Sequence, residues 1–447
     1  MSAKKPNLAP LWGAAFGFNT DYRVKPVHFA TGFFITLLGR QYRAERLNNV
    51  VAFTDGKDHS GNYALPALHE TLQAEGKLRP NVGKQELHIL RKHLRSLAHN
   101  DEAVYPVYGE KKKKEQGFGC NYTTASHDIL TSTRDNDGFA GYFVHMVLQA
   151  TPEGREVLDF AKVWINQDHA PLRQAYQPLL DDQYEDFDMA ELYASKLGEL
   201  DAKRIKRIAK QMKPQTAALV TLCRNAEALT ASETRLRCLI VGLCLWSFRY
   251  LLEEGIAAQN ESFVLLADAS GDGSSRMRAQ SQWSYARLRE ALVASFTSFA
   301  DQGRFDECEE AWEYVRTQLG GSPEFWFYLT VALRSGLAQP RASRVQAKHF
   351  EPQPDTLRIL VWSVLPHDAG MLALSEVLER LYATWGLVFG GRADDAQLLG
   401  DLGYAGLDQD HDLTPNVNML VSLLEELGLA TRFSDGLVMC HSLPRFL

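Results

Sequence analysis

The segment from Thr230 to Gly255 constrains the fold of this 447-residue chain more than any other. Its first four residues, Thr-Ala-Ser-Glu, form the capping-box pattern that begins a helix, and a glycine such as Gly255 commonly ends one. Within the segment, Cys238–Phe248 is apolar almost all round. Such a helix is stable only when neighbours cover every side of it, and this run is about half the length of a membrane span. We therefore predict a long helix at the centre of a helical core.

The composition is that of a soluble globular protein, with 45% hydrophobic and 23% charged residues. The first ten residues lack the apolar stretch of a signal peptide. The six cysteines show no Cys-x-x-Cys spacing, and several lie in apolar helical patterns. These features predict a cytoplasmic protein with free, buried thiols and no membrane partner.

Periodicity and turn signals predict the other elements. The predicted helices are Val27–Leu38, Ala64–Glu75, Lys84–His99, Tyr142–Gln149, Glu153–Asn166, Glu191–Met212, Gln280–Phe299, Asp306–Leu319 and one that begins at Ser322. The predicted strands are Asn49–Thr54, Ser262–Ala267 and Leu357–Leu365; flanking prolines and β-branched residues favour a strand over a buried helix for the last.

We predict a mixed, predominantly α-helical multidomain fold. Residues 1–180 form a basic, His-rich α+β region, and the acidic run Asp181–Asp188 marks its boundary. Residues 190–340 are a mostly helical domain with a short strand. Residues 341–367, which contain a polar stretch with Pro352 and Pro354, are interpreted as a linker and a strand. Residues 368–447 form a C-terminal domain.

The C-terminal domain has a distinctive element order. Two helices, Leu372–Phe389 and Asp394–Leu402, precede a third that Thr414-Pro415 begins and Gly428 ends. A hairpin with Ser-Asp-Gly at its turn follows. This order resembles the winged-helix domain, which implies DNA recognition through the third helix. However, residues 366–447 hold four basic and twelve acidic residues. The outward face of the third helix is expected to present Asn416, Asn418, Ser422, Glu425 and Glu426, without the Arg or Lys that contacts guanine and phosphate. The charge therefore favours a protein-interaction role.

Two cationic segments are candidates for nucleic-acid binding. Residues 1–120 contain 18 basic and 11 acidic residues, although the whole chain has a net charge of −7. The first candidate is the loop Lys111, Lys112, Lys113 and Lys114; the second is the helix carrying Lys203, Arg204, Lys206, Arg207, Lys210 and Lys213. A run of cations is more often a solvated helix face. If it binds phosphate, binding is non-specific and strongly salt-dependent.

Catalytic and metal-binding patterns are weak. Nine of the thirteen histidines lie in residues 1–170, and Asp58-His59 and His127-Asp128 are the best His–carboxylate pairs. No metal-ligand spacing is met, and the common hydrolase, kinase and phosphate-loop motifs are not found, so we expect no metal and no cofactor. The loop Asp268–Ser275 follows a predicted strand and precedes a helix; a plain turn is favoured, although Asp268 lies near Arg276 and Arg278.

The expected function is that of a non-enzymatic accessory subunit in a bacterial nucleic-acid-processing or anti-phage defence assembly. It would bind partner proteins and contact DNA non-specifically. The setting rests on analogy with other accessory chains. Two alternatives stay open: a metal- or His-dependent hydrolase or nuclease with its site in residues 50–170, and a winged-helix transcription regulator.

Overall fold

A computed structural model of the chain describes residues 16–18, 26–38, 40–42, 139–167, 184–186, 202–230, 232–259, 262–271, 275–301, 331–339, 347–368 and 370–442. Helix makes up 67% of these residues and the sheets are small, so the prediction of a predominantly helical chain is confirmed. The strand predicted at Asn49–Thr54 lies outside the described residues. So do the helices predicted at Ala64–Glu75, Lys84–His99 and Asp306–Leu319 and from Ser322.

Eleven α-helices lie in the described ranges. They are α1 (Pro26–Leu38), α2 (Phe139–Gln149), α3 (Pro152–Gln167), α4 (Ala202–Gln211), α5 (Lys213–Ala226), α6 (Ser232–Gln259), α7 (Arg276–Asp301), α8 (Pro354–Val364), α9 (Leu374–Trp385), α10 (Asp395–Asp401) and α11 (Thr414–Glu426). The strands in the same ranges are β1 (Arg40–Tyr42), β2 (Tyr184–Asp186), β3 (Leu265–Leu266), β4 (Ala338–Gln339), β5 (His349–Phe350), β6 (Leu372–Ala373), β7 (Leu387–Val388), β8 (Ala430–Arg432) and β9 (Val438–Cys440).

Helix α6 is the centre of the fold, as its sequence predicts. It contacts α1, α2, α3, α5, α7 and α8. Trp246 and Tyr250 are fully buried on it, with their rings stacked at 6.1 Å. The indole Nε1 of Trp246 donates a hydrogen bond to Thr216 Oγ1 of α5 at 3.2 Å. Apolar residues on every face of α6 are therefore covered by surrounding helices, which is the arrangement that such a helix requires.

We predicted two helix ends, one from a proline and one from a glycine, and only the first is confirmed. The helix predicted at Glu191–Met212 is described from residue 202 as α4, and it does end before Pro214, which lies in the first turn of α5. We predicted Gly255 as the end of α6, but the helix continues to Gln259. A Cβ atom at position 255 would lie 3.2 Å from Ala291 Cβ of α7. Gly255 therefore permits close packing of two long helices and does not cap the first.

One continuous cluster of buried side chains runs through the described chain. It includes Phe16 and Phe143 near the front, Leu245 in α6, and Leu424 and Cys440 near the end. The strand β2 lies within the acidic run that we used as a boundary, and it pairs antiparallel with β1. The cluster thus contains side chains from three of the predicted domains, and the domain boundaries themselves stay a prediction.

The predicted linker and strand at 341–367 required correction. Residues Lys348, His349 and Phe350 are at most 4% exposed, so this part of the segment is buried and not a solvated linker. We expected a strand at Leu357–Leu365, but residues 354–364 form the helix α8. Pro354 lies in its first turn, where proline favours a helix start. The sequence of α8 is apolar without interruption because α5, α6 and α9 surround the helix. Burial alone does not distinguish a helix from a strand, so this apolar run did not indicate which one forms.

Three short parallel strands meet at the centre of the second half. Strand β3 pairs in parallel with β7, in the register Leu265↔Leu387. On its other side, Ala267 forms a parallel bridge with Phe350 of β5, and β5 pairs antiparallel with β4. The predicted buried strand at 262–267 is therefore confirmed, and it is the central member of this group.

The C-terminal elements follow the predicted order, except that the strand β7 is inserted after the first helix. The helix predicted at Leu372–Phe389 is α9, which ends at Gly386 with a positive φ of 67° and leads into β7. Helices α10 and α11 are where we predicted them, and Gly428 also has a positive φ. Strands β8 and β9 form the predicted hairpin, and β6 joins them in the antiparallel order β6-β9-β8.

Two further features concern the cysteine thiols and the length of the apolar helices. Cys223, Cys238, Cys244 and Cys440 are buried free thiols, as predicted for them, and burial raises the pKa of Cys238 to about 11 and that of Cys440 to about 12. Across the described ranges, no helix combines the length and the apolar character that crossing a bilayer requires.

Candidate functional site

The carboxyl ends of β3, β5 and β7 lie at one edge, because the three strands are parallel. Asp268 follows β3, Glu351 follows β5 and Phe389 follows β7. The backbone amide of Ala267 donates to Val388 O at 2.9 Å, and that of Asp268 donates to Phe350 O at 2.8 Å. In open parallel sheets this edge is where ligands bind, since the loops that leave it diverge and open a crevice.

A chain of four charged or ionisable side chains crosses this edge. Arg278, from the first turn of α7, donates through Nε to Asp268 Oδ2 at 2.5 Å and through Nη2 to Glu351 Oε2 at 2.9 Å. Glu351 Oε2 also lies 2.7 Å from His349 Nε2. The Asp268 side chain is 0% exposed and that of Arg278 is 13% exposed. The buried carboxylate is therefore compensated by a guanidinium that two acids hold in position.

Protons around His349 can be counted from its hydrogen bonds. Its Nδ1 lies 3.1 Å from Ala347 O, which can only accept, so Nδ1 carries a proton. Its Nε2 faces the Glu351 carboxylate, and that contact needs one proton between the two groups.

Asn416 of α11 holds the strand ends together from one side. Its Nδ2 donates to Ala267 O and to Phe389 O, both at 2.9 Å, and its Oδ1 accepts from Ala269 N at 2.7 Å. The residue is 0% exposed. Our prediction that Asn416 lies on the outward face of this helix is wrong. Its amide pairs with the backbone groups that the parallel strands leave free at their ends.

A cavity of about 760 Å³ opens at this edge. Its polar wall includes Arg278, Glu351 and Gln339, and its apolar wall includes Phe389 and Leu420. Met419 of α11, which is 43% exposed, also lines it. The Nε2 atom of Gln339 is buried and has no hydrogen-bond partner within the described structure. The volume falls within the range of small-molecule sites in proteins.

The sequence indicated only part of this site. We singled out Asp268 with Arg276 and Arg278 as the notable part of its loop, and the Asp268–Arg278 pair lies at the edge. Arg276 points elsewhere, to Gly406 O at 2.8 Å and Asp412 Oδ2 at 3.6 Å. Glu351 and His349 were missed because they lie in the segment interpreted as a linker, where one apolar residue, Phe350, is too short a pattern to indicate a strand.

The predicted cationic helix is α4, which lies at the surface with one face exposed. Lys203, Lys206 and Lys210 are exposed, and none of the three forms an ion pair in the structure as described. Arg207 is paired with Glu254 at 3.3 Å, and Arg204 hydrogen-bonds Tyr250. The face that packs inward carries Ile208 and Ala209. The second cationic candidate, Lys111, Lys112, Lys113 and Lys114, lies outside the described residues.

The predicted His–carboxylate pairs cannot be placed, because Asp58, His59, His127 and Asp128 all lie outside the described residues. In the parts of the chain that the structure describes, no three His, Cys, Asp or Glu side chains converge to hold a metal ion. One histidine of the N-terminal group, His145 on α2, is described. It is 7% exposed, and its ring lies edge-on to Phe33 of α1 at 6.0 Å.

His145 makes a testable contribution to pH dependence. Burial, and then the charge of Lys162, lowers its pKa from 6.5 to about 4. The unfolded chain therefore binds more protons between about pH 4 and 6.5, and stability falls as the pH is lowered through this window. We expect His145→Phe to reduce the loss of unfolding free energy between pH 7.5 and pH 5 by about 2 kcal/mol, as measured by urea denaturation. An unchanged pH dependence in the variant would contradict the assignment.

No protein-family model matches the chain, and no curated protein and no solved structure matches it either. The functional interpretation therefore depends on the geometry described above.

Proposed function

We propose that the chain is a non-enzymatic accessory subunit of a nucleic-acid-processing assembly, and that it contacts nucleic-acid phosphates through the exposed face of α4. The observation that carries this proposal is the set Lys203, Lys206 and Lys210, three exposed and unpaired cations on one short helix. A bacterial nucleic-acid-processing or anti-phage defence assembly remains the hypothesised setting.

The spacing of these lysines supports contact with a phosphate backbone. Steps of three and four residues place them on one side of α4, and seven residues of helix span about 10 Å. Nearby cations are already neutralised, since Arg207 pairs with Glu254 and Lys213 with Glu153 at 3.8 Å. Three flexible ammonium groups carry no hydrogen-bond pattern that reads base sequence, so the proposed binding is non-specific.

We propose a separate role for the C-terminal elements, as a winged-helix-like unit that binds a partner protein. The strand order β6-β9-β8 beside α9 and α11 supports this topology. The hairpin exposes Phe433 (41%) and Leu437 (49%), adjacent apolar side chains of the kind found at protein interfaces. The exposed side of α11 carries Glu425 and Glu426, which disfavour phosphate contact.

Removing the three lysines tests the nucleic-acid role. We expect Lys203→Gln, Lys206→Gln and Lys210→Gln together to weaken binding to duplex and single-stranded DNA. The slope of log K against log salt concentration should fall by about 1 for each lost phosphate contact. Fluorescence anisotropy with labelled DNA over a salt series measures both quantities.

A matched control removes the same charge elsewhere. Arg224, Arg237 and Arg358 are exposed or partly exposed and paired with Glu156 or Asp355, so their replacement by glutamine costs little stability. The proposal requires this control to bind DNA nearly as the wild type does. Equal weakening of DNA binding in both triple variants would mean that the net charge of the protein matters and the position of the lysines on α4 does not. Loss of binding in Asn418→Ala/Ser422→Ala would instead support recognition through α11, as in the transcription-regulator alternative.

A further inference from the structure

The hairpin of β8 and β9 carries a pair of apolar side chains at its tip. The amide of Phe433 donates to Leu437 O at 2.8 Å, and the amide of Gly436, whose φ is positive, donates to Phe433 O at 3.0 Å. This three-residue loop places Phe433 directly opposite Leu437. Directly opposite side chains lie on the same face of a hairpin, with Cβ atoms about 5 Å apart. Phe433 and Leu437 therefore form one exposed patch, at 41% and 49% exposure.

The same face of β9 continues with Met439. Side chains alternate between the two faces along a strand, so Met439 lies on the face of Leu437, whereas Cys440 lies on the other face and belongs to the hydrophobic core. Met439 is only partly buried and is absent from the core clusters of the described residues. An antiparallel strand with one solvated face normally alternates apolar with polar residues, but β9 is apolar on both faces. We call Phe433, Leu437 and Met439 the hairpin patch.

The remaining large apolar side chains that are exposed in the described ranges lie on separate helices. Val163 is on α3, Trp283 on α7 and Met419 on α11. Single exposed apolar side chains are normal on protein surfaces and need no partner. The hairpin differs because its two exposed side chains are a direct cross-strand pair.

The surroundings of the hairpin patch are acidic. Residues 370–442 contain eleven acidic residues and three arginines. Every one of these arginines is already paired inside the segment: Arg380 with Glu376, Arg392 with Glu379 and Asp395, and Arg432 with Glu425. Among the described residues, neither Glu426 at the end of α11 nor Asp435 in the hairpin turn forms an ion pair. The segment therefore presents a negative field to a molecule that approaches the patch.

We propose that the hairpin patch binds a short cationic amphipathic segment of a partner protein, whose apolar side chains cover the patch while its Lys or Arg side chains face Glu426 and Asp435. This inference rests on the partner-binding role proposed above for the C-terminal elements. Complementary charge around an apolar contact favours the correct partner and speeds its association. Docking of a second copy through the same patch would bring two acidic surfaces together. Three side chains also provide much less than the roughly 800 Å² per partner of a stable interface between folded proteins, which favours a short segment.

Fluorescence anisotropy of two labelled twelve-residue peptides with the full-length protein tests the proposal. One peptide has leucine at helical spacing and lysine elsewhere, and the other replaces each lysine by glutamate. We expect saturable, salt-sensitive binding of the lysine peptide and about tenfold weaker binding of the glutamate peptide. The hairpin variant Phe433→Ser/Leu437→Ser should weaken binding of the lysine peptide about tenfold. Val163→Ser/Met419→Ser, which removes two exposed apolar side chains elsewhere, is the matched control and should leave binding unchanged.

A second variant, Glu426→Gln/Asp435→Asn, removes two charges and leaves the apolar side chains in place. Asparagine keeps the side-chain oxygen that accepts from Leu437 N at 3.0 Å, so the hairpin turn and the melting temperature should be preserved. Binding of the lysine peptide should weaken about threefold, with a shallower salt dependence.

The outcomes distinguish this inference from the proposed function. Equal affinity of the lysine peptide for the wild type and the hairpin variant would overturn the inference, and so would a dimer in sedimentation experiments that only the hairpin variant dissociates. Equal binding of both peptides, lost in the hairpin variant, would overturn the preference for cations but leave the hairpin as a partner-binding surface. The DNA measurements on α4 are independent of all these results.

Discussion

Replacing Asn416 by leucine is expected to lower the free energy of unfolding by about 4 kcal/mol. Leucine has nearly the same size and shape, so it creates no large cavity, but it removes three hydrogen bonds to the backbone of the buried residues Ala267 and Phe389 and the partly buried Ala269. The carbonyls of Ala267 and Phe389 and the amide of Ala269 would lose their partner. Each unsatisfied buried group costs about 1–3 kcal/mol. Urea denaturation followed by circular dichroism measures the change.

The neighbouring Asn418 provides the control for this substitution. It lies on the same helix but is exposed, and Asn418→Leu should change the free energy of unfolding by no more than about 0.5 kcal/mol. Similar stabilities for the two variants would mean that the amide of Asn416 does not clamp the strand ends.

Replacing Arg278 by methionine is the second change with a large expected effect. Methionine preserves most of the side-chain volume, but Asp268, whose side chain is 0% exposed, would keep only its contacts with Ser270 N and Oγ. Removing one partner of a buried ion pair destabilises a protein by about 3–5 kcal/mol, because the remaining charge stays without water or a counter-ion. We expect a loss of this size at neutral pH in the same denaturation experiment.

A double variant distinguishes this cause from lost packing. Asp268→Asn removes the charge that Arg278 compensates, so Asp268→Asn/Arg278→Met should be more stable than Arg278→Met alone. Lost packing of the arginine side chain would be the same in both proteins. A double variant that is no more stable than the single one would therefore show that packing, and not an uncompensated charge, causes the loss.

Sequence patterns were reliable where a helix has a long periodic or fully apolar run. The central position of α6 followed from Cys238–Phe248, because a helix that is apolar on all sides has only one stable environment. The end of α4 followed from Pro214, and the hairpin β8–β9 followed from its turn residues. Each of these signals is local, so it can be recognised without knowledge of the rest of the fold.

The candidate cavity could not be predicted in the same way, because tertiary contacts create it. Strands β5 and β7 have only two residues each, which is too short for a period to be visible. Asn416 occupies a helix position that periodicity assigns to the solvent side, yet β3 and β7 cover it. Gln339, Arg278 and Glu351 come together only when these segments pair. The Asp268–Arg278 pair is the exception, since ten residues of chain join a strand end to the first turn of the next helix.

The parallel pairing of β3 with β7 also determines which parts of the chain can exist alone. The amides of Leu265 and Ala267 donate to Gly386 O and Val388 O, so a fragment that ends before residue 368 would lose both acceptors as well as the Asn416 clamp. In the complementary fragment, the same carbonyls would face water beside the exposed apolar side chains of β7. The second half of this protein should therefore melt in a single transition, and limited proteolysis should not release residues 368–447 as a stable piece.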